Sequence, residues 1–433
     1  MFMAGDYIQE RFPNGLQIQL KEIHTAPIIS HWIWYRIGSR HEQLGATGIS
    51  HWVEHMQFKG TPRFPAGTLD KSISRTGGVW NAFTYLDWTT YFETLPAGSI
   101  DLAMQIESDR MLHSLFDPVE VESERTVILS ELEGNQNQPT YRLAEAVQRA
   151  AFDSHPYRNE IIGSTEDLKQ IKRDDLYHHY RRFYRPGNAI VTLAGDFVPK
   201  EMLERLSAVY ADIPDGEPCD PPDHQETPLS EERRLTIEGP GSTTYMQLAY
   251  RAPQASNPDF FSFSILDSLL CGPTSLNMFG GGGISNKTSR LYRALVEKEL
   301  AVSMRGGLQA TVDPFLFEII LTVRPEHTPD EALAAIDHQI NILQDTLVME
   351  EEIHRAVKQA RALFAYGSEN ITNQAFWLGY AEMFSNYDWF TGYIDSLEKV
   401  TPADVQRIAQ TYLQPSRRVV GVYLPTRKES PGV

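Results

Sequence analysis

Directly after Asn14-Gly15, Leu16, Ile18 and Leu20 alternate with polar neighbours, the pattern of a half-buried strand entered from a turn. The run "IISHWIWYRI", residues 28–37, reads as a second, core strand, whose aromatic side chains fit packing better than a ligand box. From there to position 212 the apolar spacing becomes helical, over 101–113, 118–133, 140–151 and 198–210. Strand and helix patterns together predict an α+β chain.

The stretch "DIPDGEPCDPPDHQETPLSEE", from Asp212 to Glu232, breaks that rhythm with Pro, Asp and Glu. It predicts an N-terminal domain over 1–212, an extended linker over 213–232 and a C-terminal domain over 233–433. The two sides repeat at a constant offset of 229: Asp175 matches Asp404, Phe183 matches Tyr412, Pro186 matches Pro415, and Ile190-Val191 matches Val419-Val420. Each half closes a helix with a proline turn and then a strand. A gapless register over about 20 positions points to duplication, and two such halves are expected to enclose a space.

Composition narrows the chemistry. With 433 residues, 41% of them hydrophobic, the chain can bury a large core in two or three domains. A formal net charge of −18 works against nucleic acid or an anionic membrane as partner. Only Cys219 and Cys271 are present, so any metal must be held by histidines and carboxylates. The N-terminus has neither a basic segment nor an apolar one, and no run of uncharged apolar residues is long enough to span a membrane. A cytoplasmic location is the expectation for the chain as given; a removed signal peptide would leave no trace.

Candidate chemistry sits in "GISHWVEHMQFKGT", residues 48–61. At about 100° per residue, His55 falls about 40° to one side of His51 and Glu54 about 60° to the other. Ile49, Trp52, Val53 and Met56 fill the opposite arc, so the helix packs through them and Lys59-Gly60 ends it. Histidines one turn apart can both reach one metal ion, and the carboxylate beside them can take a proton from water. Solvated histidines on a polar helix face are the plainer reading, and a metal needs a further ligand. A second helix, opened by Asp117-Pro118, places Glu124 and Glu131 within about 20° of each other on its wheel, on the arc of Val121, Val127, Ile128 and Leu132. Carboxylates on an apolar side are paired or bind metal, and Arg75 or Arg125 could serve as the ion-pair partner.

These residues resemble a family. "GSRHEQLGATGISHWVEHMQFKGTPRF" is similar to the zinc-binding region of the pitrilysin, insulinase and mitochondrial-processing-peptidase family, with its inverted H-x-x-E-H motif. There a glutamate 76 residues beyond the second histidine completes the site, which here is Glu131. "GGVWNAFTYLDWTTYF" and "SHPYRNEIIG" resemble further family segments. The resemblance implies two homologous α/β-sandwich domains, mostly antiparallel sheet with helices on one side, forming half of a clam-shell chamber. It implies one Zn²⁺ per chain on His51, His55 and Glu131, with Glu54 as base, Glu124 as an outer carboxylate, and Asn81, Ala82, Phe83 and Thr84 on an edge strand that pairs with an extended peptide. The expected function is a zinc endopeptidase for short or unfolded peptides; a non-catalytic or partner-dependent subunit is the alternative.

One departure bears on that alternative. In "SNKTSRLYRALVEKELAVSM", Val296 and Val302 stand where the family carries an Arg and a Tyr that reach the bound peptide. Either nearby Arg290, Arg293 or Arg305 substitutes, or a second copy or a related subunit supplies the pair. The glycines before Lys287-Thr288 are no P-loop, because Asn286 stands where glycine is required. His178 and His179 are expected on an ordinary helix surface.

Overall fold

The protein is described as a computed structural model covering residues 7–216, 222, 224–276 and 284–426. Cys219 and the four-glycine run before Ile284 lie outside the described residues. The chain forms two compact units, and neither is continuous in sequence.

The first unit comprises Met1–Leu132, Asn159–His224 and Ser368–Thr391. Its sheet contains β1 (Ile8–Arg11), β2 (Gln17–Glu22), β3 (Ile28–Tyr35), β4 (Val79–Thr84), β5 (Thr89–Pro96) and β6 (Ala189–Gly195), in the order β1-β2-β6-β3-β5-β4. Only β2 and β6 run parallel. The second unit comprises Glu133–Arg158, Gln225–Gly367 and Gly392–Val433. It holds β7 (Arg233–Pro240), β8 (Thr244–Arg251), β9 (Ala301–Leu308), β10 (Leu316–Val323) and β11 (Arg418–Thr426), ordered β7-β11-β8-β10-β9, again with one parallel pair, β7 and β11. This is the connectivity of β2-β6-β3-β5-β4, so the repeat read from the sequence is a repeat of topology.

The helices of the N-terminal half are α1 (Ile49–Met56), α2 (Leu69–Arg75), α3 (Ile100–His113), α4 (Pro118–Gln136), α5 (Pro139–Ala151), α6 (Thr165–Gln170), α7 (Arg173–Phe183) and α8 (Pro199–Tyr210). Those of the C-terminal half are α9 (Asp259–Leu270), α10 (Pro329–Asp345), α11 (Glu350–Gly367), α12 (Ile371–Phe384), α13 (Tyr387–Thr391), α14 (Tyr393–Glu398) and α15 (Pro402–Tyr412). The duplicated segments are α7 with β6 and α15 with β11. Asp117 Oδ1 accepts the Val119 amide at 2.8 Å, which is why α4 starts where Asp-Pro predicts.

One face of the first sheet supplies Ile29, Ile33 and Tyr35 of β3 to a core shared with α1, α3 and α7. The other face is covered as well, which goes beyond helices on one side. Trp32 stacks on Phe92 at 4.2 Å and meets Phe376 of α12 edge-on at 5.5 Å. Thr192 donates to the Ala375 carbonyl at 2.9 Å. Gly379 is required at this seam, since a Cβ there would lie 2.1 Å from the Trp34 indole nitrogen. With α12 in place, Gln19 is buried along with Ile18 and Leu20, so β2 is covered on both faces instead of half-buried. In the second unit α5 packs in the same way against β7, β8 and β11.

Each sheet therefore takes one helix from the other half of the chain, and a single cut through 213–232 does not reproduce the units. Their boundary between the two central segments does fall in that stretch, at His224 and Gln225. Pro222 and His224 are tied to Arg40, whose guanidinium donates to the Pro222 carbonyl at 3.0 Å. Glu226 accepts the amides of Asp153, Ser154 and His155 at 2.7–2.9 Å. Among the described residues, no helix is long and apolar enough to cross a membrane.

Candidate metal centre

The first turn of α1 is fixed by backbone contact and two carboxylates. Gly48 and Gly163 have φ of +87° and +85°, and a Cβ on Gly163 would sit 2.3 Å from the Thr47 carbonyl oxygen. Glu42 accepts the Gly48 and Ser50 amides at 2.8 and 2.9 Å. Burial pushes its carboxyl up to about 7, against the two amides, which favour the ionised form. Asp167 accepts the Thr47 amide at 3.0 Å and its hydroxyl at 2.6 Å. Trp52, Val53 and Met56 are fully buried, as the wheel required, and the Arg125 guanidinium lies over the Trp52 ring.

His179 departs from expectation. It is buried against α1, with Nε2 3.3 Å from Ser50 Oγ, and burial pulls its pKa down to about 3. The polar run "YHHYRR" hid this, because α7 turns only the second histidine toward α1; His178 stays exposed.

From this helix His51 and His55 present Nε2 at 4.0 and 3.9 Å from one oxygen of Glu131, Oε2. Among the described residues, these three are the group of histidines, cysteines and carboxylates whose ligand atoms lie close enough to hold a metal ion. Bonds of 2.0–2.1 Å to a tetrahedral zinc separate ligand atoms by about 3.3 Å, so a small inward movement closes the site. Two imidazoles and one carboxylate suit zinc. Burial lowers the His51 pKa to about 3, leaving the neutral imidazole that ligation needs.

The wheel placed Glu124 and Glu131 alike on the apolar side of α4, and only Glu124 is buried. The buried stripe is Val121, Glu124, Ile128 and Leu132; Val127 and Glu131 fall beyond its edge and are exposed. Exposure spares Glu131 the desolvation cost and leaves it free to face the histidines. Glu124 Oε2 lies 3.0 Å from His55 Nδ1, and Lys59 pairs with Glu124 and, at 3.5 Å, with Glu120. Burial raises the Glu124 pKa, but Lys59 and His55 outweigh it and hold the carboxyl below its usual range. Neither arginine considered as its partner takes that place. Arg125 pairs with Glu122 at 2.9 Å, and Arg75 is exposed.

Glu54 is buried beside this cluster and accepts the Thr84 hydroxyl at 2.7 Å; burial pushes its carboxyl up. Thr84 ends β4, the edge strand, which among the described residues pairs only with β5. Asn81 is exposed there, Ala82 is buried, and Phe83 stacks parallel to Phe92 at 6.3 Å. In the second unit Val296 is half-buried in a short π-helical turn and Val302 is exposed on β9. Glu352 holds Arg290 at 2.8 and 2.9 Å, whereas Arg293 and Arg305 are exposed. His155 and Tyr157 belong to the second unit too, where His155 meets Asp313 at 3.0 Å.

Lys59, Glu42 and Asp167 also contribute, on little or no sequence signal. Lys59 read only as a helix stop, and Glu42 lies inside the family-like stretch without a motif position of its own; Asp167 carried no signal.

Residues 17–165 match the family described as insulinase (peptidase family M16), and residues 170–360 match the peptidase M16 inactive domain. An uncharacterized zinc protease of Streptomyces coelicolor is 24% identical over 96% of this chain and 90% of its own length. The mitochondrial-processing peptidase subunit beta of Dictyostelium discoideum is 24% identical over 93% of this chain and 85% of its own. The crystal structure of a protease from Helicobacter pylori shares the fold, with a TM-score of 0.89 at 24% identity, covering 97% of this chain and all of the other.

Proposed function

Because the chain belongs to the insulinase family of peptidases, family M16, we propose that it is a zinc-dependent endopeptidase acting on short or unfolded polypeptides within a closed chamber. The observation that carries this reading is the convergence of His51, His55 and Glu131 on one point, with Glu54 beside them. His51, His55 and Glu131 would hold one zinc ion per chain, which would supply Lewis-acid polarisation of the scissile carbonyl and lower the pKa of water so that it can be deprotonated near neutral pH. Glu54 takes the proton of the attacking water and delivers it to the leaving amine. Glu124 accepts the His55 Nδ1 proton, which fixes the tautomer that offers Nε2 to the metal. As the edge strand of its sheet, β4 is the element beside which an extended peptide would lie and pair backbone to backbone.

Zinc analysis of the purified chain with cleavage of an internally quenched peptide tests this. About one zinc per chain with zinc-dependent cleavage is expected; a chain that binds no zinc contradicts it. A second reading, a subunit dependent on a second copy or on a related chain, draws on Val296 and Val302 and on relatives named as processing-peptidase subunits. Activity that appears only when a related subunit is added, at unchanged zinc content, would favour that reading.

A further inference from the structure

Thr84 lies on the strand whose backbone the family resemblance assigns to peptide pairing, and its hydroxyl is bonded within the protein, to Glu54. On β4, Trp80, Ala82 and Thr84 point to the α1 side, where Trp80 meets Phe58 at 4.8 Å and Thr84 Oγ1 meets Glu54 Oε2 at 2.7 Å. Glu54 is only 8% exposed, so its carboxyl needs a hydrogen-bond partner within the protein. The neighbouring hydroxyl cannot substitute: Thr89 Oγ1 donates to the Ile37 carbonyl at 2.8 Å and stands 3.4 Å from Thr84 Oγ1. The bond from Thr84 Oγ1 to Glu54 Oε2 therefore holds the carboxyl in one orientation.

We propose that Thr84 is a positioning residue for the proton-transfer carboxylate Glu54, and that the backbone which pairs with an extended peptide also sets the orientation of the base. This rests on the peptidase reading of the same site. The strand is short, and Thr84 is its last paired residue before the turn in which the Tyr85 amide donates to the Trp88 carbonyl at 2.8 Å. Its backbone position is therefore fixed from both sides, and its side chain inherits that fixity.

The test uses the isosteric Thr84→Val and the hydroxyl-retaining Thr84→Ser in the full chain. Thr84→Val is expected to lower kcat by about 10-fold or more while KM moves less than about 3-fold, and Thr84→Ser to recover most of the loss. Zinc content stays that of the parent in both. An independent readout is a thermal double-mutant cycle on zinc-free protein. Thr84→Val is expected to lower Tm by about 2–4 °C in the parent and by less than about 1 °C in a Glu54→Ala background. Equal Tm losses in both backgrounds, or an unchanged kcat in Thr84→Val, would overturn the proposal. A parent chain that neither binds zinc nor cleaves peptide would sink the peptidase reading instead, and the Tm cycle would still decide whether Thr84 holds Glu54.

Discussion

His55 is held from two sides: Nε2 faces Glu131, and Nδ1 is bound by a carboxylate that is itself neutralised by Lys59. Removing that carboxylate frees the ring to rotate and to change tautomer. Glu124→Ala is accordingly expected to weaken zinc binding by about 10–100-fold in a competition titration with a chelator. Glu54→Gln is expected to do the reverse, keeping zinc while losing about 100-fold or more of peptidase activity; unchanged turnover with metal retained would refute the role of Glu54. The cluster of His51, His55 and Glu131 was legible in the sequence because one turn separates the two histidines and Glu131 sits at a distance that the family resemblance supplies. The burial of Glu124 and the exposure of Glu131 were not, because a helical wheel gives angles and not where the packed stripe ends.

At the scale of elements, α1 is seated by contacts that its own apolar pattern does not contain. Gly163, Asp167 and His179 act on its first turns from distant parts of the chain, and Gly48 and Glu42 from the loop just before it. His179 makes this measurable. Its pKa is near 6.5 in the unfolded chain and about 3 in the fold, where burial disfavours the charged ring and His41 and Arg182 add like charge. The unfolded chain thus binds the proton first on acidification. The stabilisation is complete above pH 6.5 and is lost as pH falls toward 3, with an upper limit of about 5 kcal/mol. Relative to His179→Asn, which keeps a polar group for Ser50, the parent is expected to lose stability steadily between pH 6.5 and 4 in denaturant titrations; parallel curves would contradict this. Periodicity located α3, α4, α5 and α8 to within a few residues, whereas α2 and α6 are too short to show a helical period. It could not say where α12 docks, because a helix with Ala375, Phe376, Trp377, Leu378 and Tyr380 all buried advertises no single face.

For the whole molecule, the duplicated register at an offset of 229 is matched by two sheets of the same connectivity. The exchange of α5 and α12 leaves no such trace, since it concerns partners and not patterns. It has a physical consequence. Residues 1–224 alone would lack α12 and expose Trp32 and Trp34; two tryptophans bury about 400 Å² together, worth on the order of 10 kcal/mol. That fragment is expected to aggregate or to lack near-ultraviolet circular dichroism, and to fold when residues 225–433 are co-expressed; a soluble, cooperatively unfolding fragment 1–224 would contradict the exchange. The centre itself is tested most directly by zinc stoichiometry of the purified parent, His55→Ala and Glu131→Gln, each checked for folding. The expected result is about one zinc in the parent and a loss of tight binding in both folded variants. Variants that keep the parent's zinc, or a parent that binds none, would contradict it.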